Sequence, residues 1–353
     1  MSIYAYIRGK NQSYEHPAHK RRFPRFASRK NLEFSDYLNE KSIKKVNILS
    51  PASDITFWKR AKIEKNCKII FDANDPFLLS KDISFTDKLR GLYKYLSGNH
   101  KYLEFNYRKS YLEICKVADL VIVGHRNQYE LLKNKSINVC LIPDYGIETK
   151  IENKTKFNLS NKKTINIFWE GLGSSFMPFK LIEKIFKPIN HKFNFVFHFA
   201  TDLSFYKYGD QFIGKHITEI AKKSSPKFYK QFRFYHWSEY MMNKIAISCD
   251  FAIIPLPIDN SLNYWKPENK LIHMWRMSLP TIASNIPSYS RVMKDSNQNL
   301  CANNLEEWRS LILKFSTNES LRKNHGLLAK KFVDQFYSNE KIDSLWETNL
   351  SKL

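Results

Sequence analysis

No apolar run in the 353-residue sequence approaches the length that crosses a bilayer, which leaves contact with one face of a membrane as the only lipid encounter to expect. The first eight residues lack a charged n-region, a sustained apolar core and a small-residue cleavage site, so the expectation is a cytoplasmic protein without a secretory signal. Cysteine is sparse. Cys67, Cys115, Cys140, Cys249 and Cys301 lie far apart with no paired spacing, which argues against a disulfide framework and for a reducing compartment. There is no repeat of solenoid period and no recognisable nucleic-acid module. Acidic residues are few, 34 against 57 basic, and the formal charge of +23 calls for polyanionic surroundings: phosphorylated substrates, anionic lipid or nucleic acid. With charge alone behind it, nucleic acid is set aside as a partner.

What is present is enough for two cores. An apolar share of 43% with 15% aromatics reads as globular, and this length favours two domains. From Lys45 onward strand and helix patterns alternate. Strands are expected at 46–49, 68–71, 120–124 and 139–143, with helices at 55–65, about 87–118 and 128–133. A polar stretch at 148–163 is the expected linker. The rhythm then restarts with strands at 164–169, 193–199 and 232–235, an apolar run at 249–257 that suits a strand opening into a loop, and a strand at 280–284, and the chain ends in helices at 305–315 and 321–336. Ser238 is placed to cap a helix over 239–246. This order predicts an α/β protein of two Rossmann-like doubly wound domains facing one another, residues 1–155 and 156–335, with ligands at the carboxyl ends of the strands.

Two basic stretches stand out. Residues 20–30 interleave lysine and arginine with Phe23 and Phe26, which suits either a solvated loop or contact with anionic lipid or a phosphorylated acceptor. Lys266-Pro267-Glu268-Asn269-Lys270 precedes an apolar helical run, so free amides and two ammonium groups gather where an anion is favoured. Asn269 reads as a cap of that helix or as a hydroxyl ligand. Gly171, Gly173, Ser174 and Ser175 follow a strand and precede a helix, where bare backbone lets phosphate approach amides. Trp237 ends another strand and suits either base stacking or core packing. Asp72, Asn74 and Asp75 close a strand of the first domain, as ordinary turn residues or as a general base for an acceptor hydroxyl. His125 and Arg126 follow Gly124 in a similar position.

The run Ala246-Ile247-Ser248-Cys249-Asp250-Phe251-Ala252-Ile253-Ile254-Pro255-Leu256, then Asn269-Lys270 and Leu279-Pro280-Thr281-Ile282-Ala283-Ser284, resembles the nucleotide-binding domain of GT-B glycosyltransferases of the family 4-like group. Phe71 to Asp75 and Ala118 to Val123 are similar to the first domain more loosely. The resemblance implies sugar transfer from a nucleotide-sugar donor to a glycan or lipid-linked acceptor in cell-surface polysaccharide synthesis, retaining, and without a metal or cofactor. It also implies a terminal helix, about 336–353, that packs back on the first domain. Lys266 and Lys270 would hold the donor diphosphate. The group's two glutamates, eight positions apart, are replaced by Trp265 and His273, and its glycine before the proline is Ser278. Glu268 would then supply a carboxylate from a shifted position, and His273 one hydrogen bond to a hydroxyl. A non-catalytic binding protein of the same fold is the alternative that these replacements leave open.

Overall fold

The computed structural model describes residues 3–9, 17–36, 43–79, 85–146, 151–157, 163–171, 179–207, 212–259 and 261–353. The chain divides into two compact units: Met1–Gly146 with Trp265–Pro267 and Ser338–Leu353, and Ile147–Tyr264 with Glu268–Tyr337.

In unit 1 the strands are β1 (Tyr4–Ile7), β2 (Phe34–Ser35), β3 (Val46–Leu49), β4 (Lys68–Asp72), β5 (Leu120–Val123) and β6 (Val139–Leu141). They form one sheet in the order β2-β1-β3-β4-β5-β6, every pair parallel. The helices are α1 (Pro17–Lys20), α2 (Phe23–Arg29), α3 (Ile55–Lys65), α4 (Phe85–Leu96), α5 (Tyr107–Val117) and α6 (Arg126–Lys133). Val46–Leu49 and Leu120–Val123 are buried throughout, as strands covered on both faces must be. Two apolar clusters result, one under α3 and α5, the other holding Phe23, Phe26 and Ile142. Asp54 caps α3 by accepting from the amides of Thr56 and Phe57. The helix expected over 87–118 is two helices. Asn106 caps the second by accepting from the amide of Lys109, and Gly98, in the left-handed region at φ 68°, follows the first.

Unit 2 is built from β7 (Thr164–Glu170), β8 (Asn194–Thr201), the antiparallel pair β9 (Ser204–Lys207) and β10 (Phe212–His216), then β11 (Phe232–His236), β12 (Phe251–Ile254), β13 (Thr281–Ser284) and β14 (Cys301–Ala302). Its main sheet runs β11-β8-β7-β12-β13-β14, again all parallel. The helices are α7 (Phe179–Phe186), α8 (Ile217–Ser224), α9 (Glu239–Ser248), α10 (Ser261–Tyr264), α11 (Asn269–Arg276), α12 (Pro287–Asp295), α13 (Leu305–Thr317) and α14 (Glu319–Phe336). Ser238 caps α9 by accepting from the amide of Met241 at 3.1 Å. In both sheets the strand order reverses at a switch point, β1 and β3 neighbouring each other in one and β7 and β12 in the other.

Part of the stretch expected as a linker is built into unit 2. The Glu152 amide donates to Asn243, the Lys154 amide donates to the Met277 carbonyl, and the Phe157 carbonyl accepts from Arg322. After α14 the chain returns to unit 1 as α15 (Asn339–Leu350). There Trp346 lies fully buried against Phe23 and Phe26, and Asp343 accepts a fork from Arg29 and the hydroxyl proton of Tyr145. Residues 20–30, expected as a solvated loop or as a contact for anionic lipid or a phosphorylated acceptor, are largely helical with both phenylalanines buried. Phe23 and Phe26 are the buried face of α2, and outside stand Ser28, Arg29 and Lys30, Arg29 pairing with Asp343 and Lys30 with Glu347 of α15.

Candidate functional site

Because the strands of unit 2 run parallel, the segments leaving β7, β11 and β12 emerge at one edge of the sheet. That edge collects Gly171, Trp237 and the approach to α11. The centre of the site is Lys270, in the first turn of α11. Its ammonium donates to the carbonyl oxygen of Glu170 at 2.9 Å and lies 4.8 Å from the centre of the Trp169 ring. Burial lowers its pKa below the ordinary 10.5, with the Glu170 charge opposing. Gly171 is what makes room: a Cβ there would stand 2.4 Å from Nζ of Lys270 and 2.7 Å from the Trp169 ring. The glycine is required for closeness rather than for an unusual backbone angle.

The second element is a buried carboxylate. Glu268 Oε1 accepts from Arg291 of α12 and from the Tyr337 hydroxyl at 2.8 Å, while Oε2, also buried, has no hydrogen-bond partner among the described residues. Burial first, then the negative charge of Glu268, pushes the Tyr337 phenol far up, so it stays a donor. Tyr289 is likewise pushed up by burial, then by Glu170 and Glu268, which sets its phenol in the field of both carboxylates. A carboxylate held on one oxygen with the other left over is an acceptor in waiting for a hydroxyl.

The individual expectations fall as follows. Asn269 is not the cap of α11. It is the first helical residue, and the capping position belongs to Glu268, whose side chain makes no cap bond because Arg291 and Tyr337 take it. His273 is buried in the middle of α11. Trp237 packs partly buried against the unit 2 core, its amide donating to Thr201. Gly173, Ser174 and Ser175 lie outside the described residues. Lys266 belongs with Trp265 to the short segment assigned to unit 1, where the Trp265 ring meets His125 edge-on at 6.2 Å. Ser278 takes the left-handed conformation, φ 56°, that a glycine would take without strain.

In unit 1 both oxygens of Asp72 accept from Arg22, and the same guanidinium reaches Asp144 at 3.0 Å and the Ile142 carbonyl at 2.8 Å. Asp72 is therefore a buried partner of a fixed cation, while Asp75 in the following turn is exposed. Burial raises the Asp144 carboxyl, with Arg22 opposing. Sequence reasoning missed Glu170, Arg291 and Tyr337. The last two lie 23 and 69 positions from Glu268, and no local pattern ties them to it.

No family profile and no curated protein matches the sequence. Solved structures do. Anabaena HepE in complex with UDP and glucose is 10% identical over 100% of both chains, with a TM-score of 0.66. WaaG, a glycosyltransferase involved in lipopolysaccharide biosynthesis, is 13% identical over 98% of both, at 0.57. A variant of S. aureus TarM in complex with Fondaparinux, alpha-GlcNAc-glycerol and UDP is 17% identical over 88% of this chain, at 0.57. The match spans only 56% of TarM, little more than half its length. At these identities the likeness is one of architecture, and the architecture is that of GT-B glycosyltransferases: two doubly wound α/β units, each on a parallel six-stranded sheet.

Proposed function

We propose that this chain is a family 4-like GT-B glycosyltransferase that moves a sugar from a nucleotide-sugar donor to a glycan or lipid-linked acceptor in cell-surface polysaccharide synthesis. The observation that carries the reading is the Lys270 ammonium, held beside Gly171 at the carboxyl edge of the unit 2 sheet. Breaking the bond between sugar and diphosphate builds negative charge on a phosphate oxygen, and a fixed cation at that point stabilises it as it forms. The same cation binds the ground-state diphosphate less strongly than the departing one, which is what acceleration requires. Glu268, whose Oε2 has no partner among the described residues, would accept from a donor hydroxyl, taking over from the glutamates that Trp265 and His273 replace.

In this reading unit 1 binds the acceptor and unit 2 the donor, on the cytoplasmic side, peripherally at the membrane. Transfer is retaining and needs neither metal nor cofactor, the departing phosphate taking the acceptor proton. Support comes from the neighbours: HepE is seen with UDP and glucose, TarM with UDP, and WaaG serves lipopolysaccharide synthesis. Asp75 is the exposed carboxylate that would act as base if transfer inverts, and the anomeric configuration of the product decides between them.

The test is a thermal-shift panel of nucleotide sugars and nucleoside diphosphates on the full chain and on Lys270→Ala. One nucleoside diphosphate should raise the Tm of the wild type and not of the variant, and its sugar conjugate should label an acceptor. No shift with any nucleotide sinks the reading. The replacement of the family's glutamates favours one rival, a binding protein that has lost transfer. It predicts the Tm shift with no donor hydrolysis and no product.

A further inference from the structure

Unit 1 has a carboxyl edge of its own, where β4 and β5 end side by side with Asp72 opposite Ile122. The turns that follow them touch: a Cβ on Gly124 would lie 3.7 Å from the carbonyl oxygen of Asn74 and 4.0 Å from its Cβ. Asn74 and Asp75 thus stand against the turn that carries His125. Trp265, from far along the chain, belongs to the same unit, and its ring meets His125 edge-on at 6.2 Å. His125 is buried and its Nδ1 accepts from the Asn127 amide at 3.1 Å, so it is a fixed support for the indole. Trp265 itself is half-buried, with part of its surface in water.

Asn and Asp at a strand end serve a turn by bonding their own backbone. Here the side chains of Asn74 and Asp75 make no such bond, and among the described residues no hydrogen bond or ion pair commits either of them. Asp72, two and three positions earlier, is by contrast locked on both oxygens by Arg22. The cations around this edge are engaged. Arg22 is taken by Asp72 and Asp144, Arg126 pairs with Glu130 at 2.9 Å, Arg90 lies over the Phe77 and Tyr107 rings, and Lys266 has a partner as well. An anionic ligand would therefore meet the Asp75 carboxylate first. An uncharged ring with an apolar face and several hydroxyls fits what is offered: an indole, a carboxylate that accepts, and an amide that donates and accepts. We propose that Trp265, Asp75 and Asn74 form an acceptor subsite on unit 1 for a neutral sugar, its C–H face on the indole and its hydroxyls on the carboxylate and amide. This rests on the glycosyltransferase reading and narrows the acceptor to an uncharged glycan end. It also gives the indole, standing where the resemblance puts a glutamate, a task on the acceptor side.

The experiment is saturation-transfer NMR of the full chain with neutral oligosaccharides of glucose, galactose, N-acetylglucosamine and rhamnose, and with glucose phosphates, no nucleotide being present. At least one neutral oligosaccharide should bind, the transfer falling on the C–H protons of one ring face. Trp265→Ala should weaken that binding roughly tenfold, and Trp265→Phe, which keeps a flat ring, should weaken it less. Asp75→Ala should also weaken it roughly tenfold, at an unchanged Tm because the carboxylate holds no other described residue. Tyr93→Ser, which removes an exposed tyrosine of α4, should leave it unaltered. Binding of glucose phosphates alone overturns the proposal, as does binding of no neutral sugar, or wild-type binding by either Trp265→Ala or Asp75→Ala. Any of these results leaves the donor reading standing, since only the nucleotide panel decides that.

Discussion

The Lys270 ammonium and the Glu170 carbonyl oxygen lie 2.9 Å apart, a bond between the first turn of one helix and the last residue of a strand 100 positions earlier. The bond exists because residue 171 has no side chain. Gly171→Ala should therefore act on the ammonium directly: the new methyl group displaces Nζ or the Trp169 ring. Overpacking of this kind costs about 1–3 kcal/mol. The diagnostic result is disproportion. Chemical denaturation should show that modest loss, while the Tm shift produced by the cognate nucleoside diphosphate falls as far as it does in Lys270→Ala.

Burial holds the pKa of Lys270 below 10.5, so the ammonium is lost at a lower pH than from an exposed lysine. Only the protonated form attracts diphosphate. Affinity measured by calorimetry should accordingly decline as pH rises toward 10.5, with proton uptake on binding in the upper part of that range. In Lys270→Ala the same titration should be flat and the affinity roughly tenfold lower or worse. A wild-type profile as flat as the variant's would remove Lys270 from the diphosphate site.

Ser278 offers a gain in stability. A side chain at φ 56° costs about 1–2 kcal/mol relative to a right-handed helical conformation, and glycine gives back about 0.5–1 kcal/mol through the freer unfolded chain. Ser278→Gly should stabilise by about 0.5–1 kcal/mol, visible as a higher denaturation midpoint at constant slope. The position sits at the turn between α11 and β13, so nucleotide affinity should not fall.

Arg22 carries the opposite expectation. Its guanidinium neutralises Asp72 and reaches Asp144, all with little solvent. Arg22→Met leaves Asp72 buried without a cation, a change that costs about 3–5 kcal/mol. Arg22→Met combined with Asp72→Asn should recover part of that loss, and an Asp72→Asn change that costs the Arg22→Met variant as much as it costs the wild type would mean that the pair is not coupled.

Much of the α/β organisation was legible because parallel strands buried on both faces read as short apolar runs, as in Leu120–Val123 and Phe251–Ile254. The place of Lys270 at the start of α11 was legible for a similar reason, an apolar strand preceding it and an amphipathic pattern following it. What was illegible depended on distance in sequence. Phe23 and Phe26 look like a lipid-seeking surface until Trp346, more than 300 positions on, is seen against them. Asn269 looks like the cap of α11, but the capping position falls on Glu268, whose carboxylate Tyr337 and Arg291 draw away. A one-dimensional pattern reports which residues are apolar and not which neighbour has already satisfied them.

His198 shows how such a hidden partner becomes measurable. In unit 2 its Nδ1 lies 3.0 Å from the Tyr235 hydroxyl and its Nε2 3.0 Å from Asn166 Oδ1. The neutral ring satisfies both, Nε2–H donating to the amide oxygen and Nδ1 accepting from the phenol. Burial, then the nearby Arg233, lowers its pKa from 6.5 to about 4. The unfolded chain thus takes up a proton near 6.5 that the folded chain refuses until about 4. The contribution of His198 is fully present above 6.5, is lost as pH falls through this window, and levels off below 4. With the ring partly exposed, the change is about 1–2 kcal/mol. Denaturation of wild type and His198→Gln across pH 7 to 4 should show the wild type losing that much more than the variant, and parallel curves would mean that the imidazole is as free to protonate folded as unfolded.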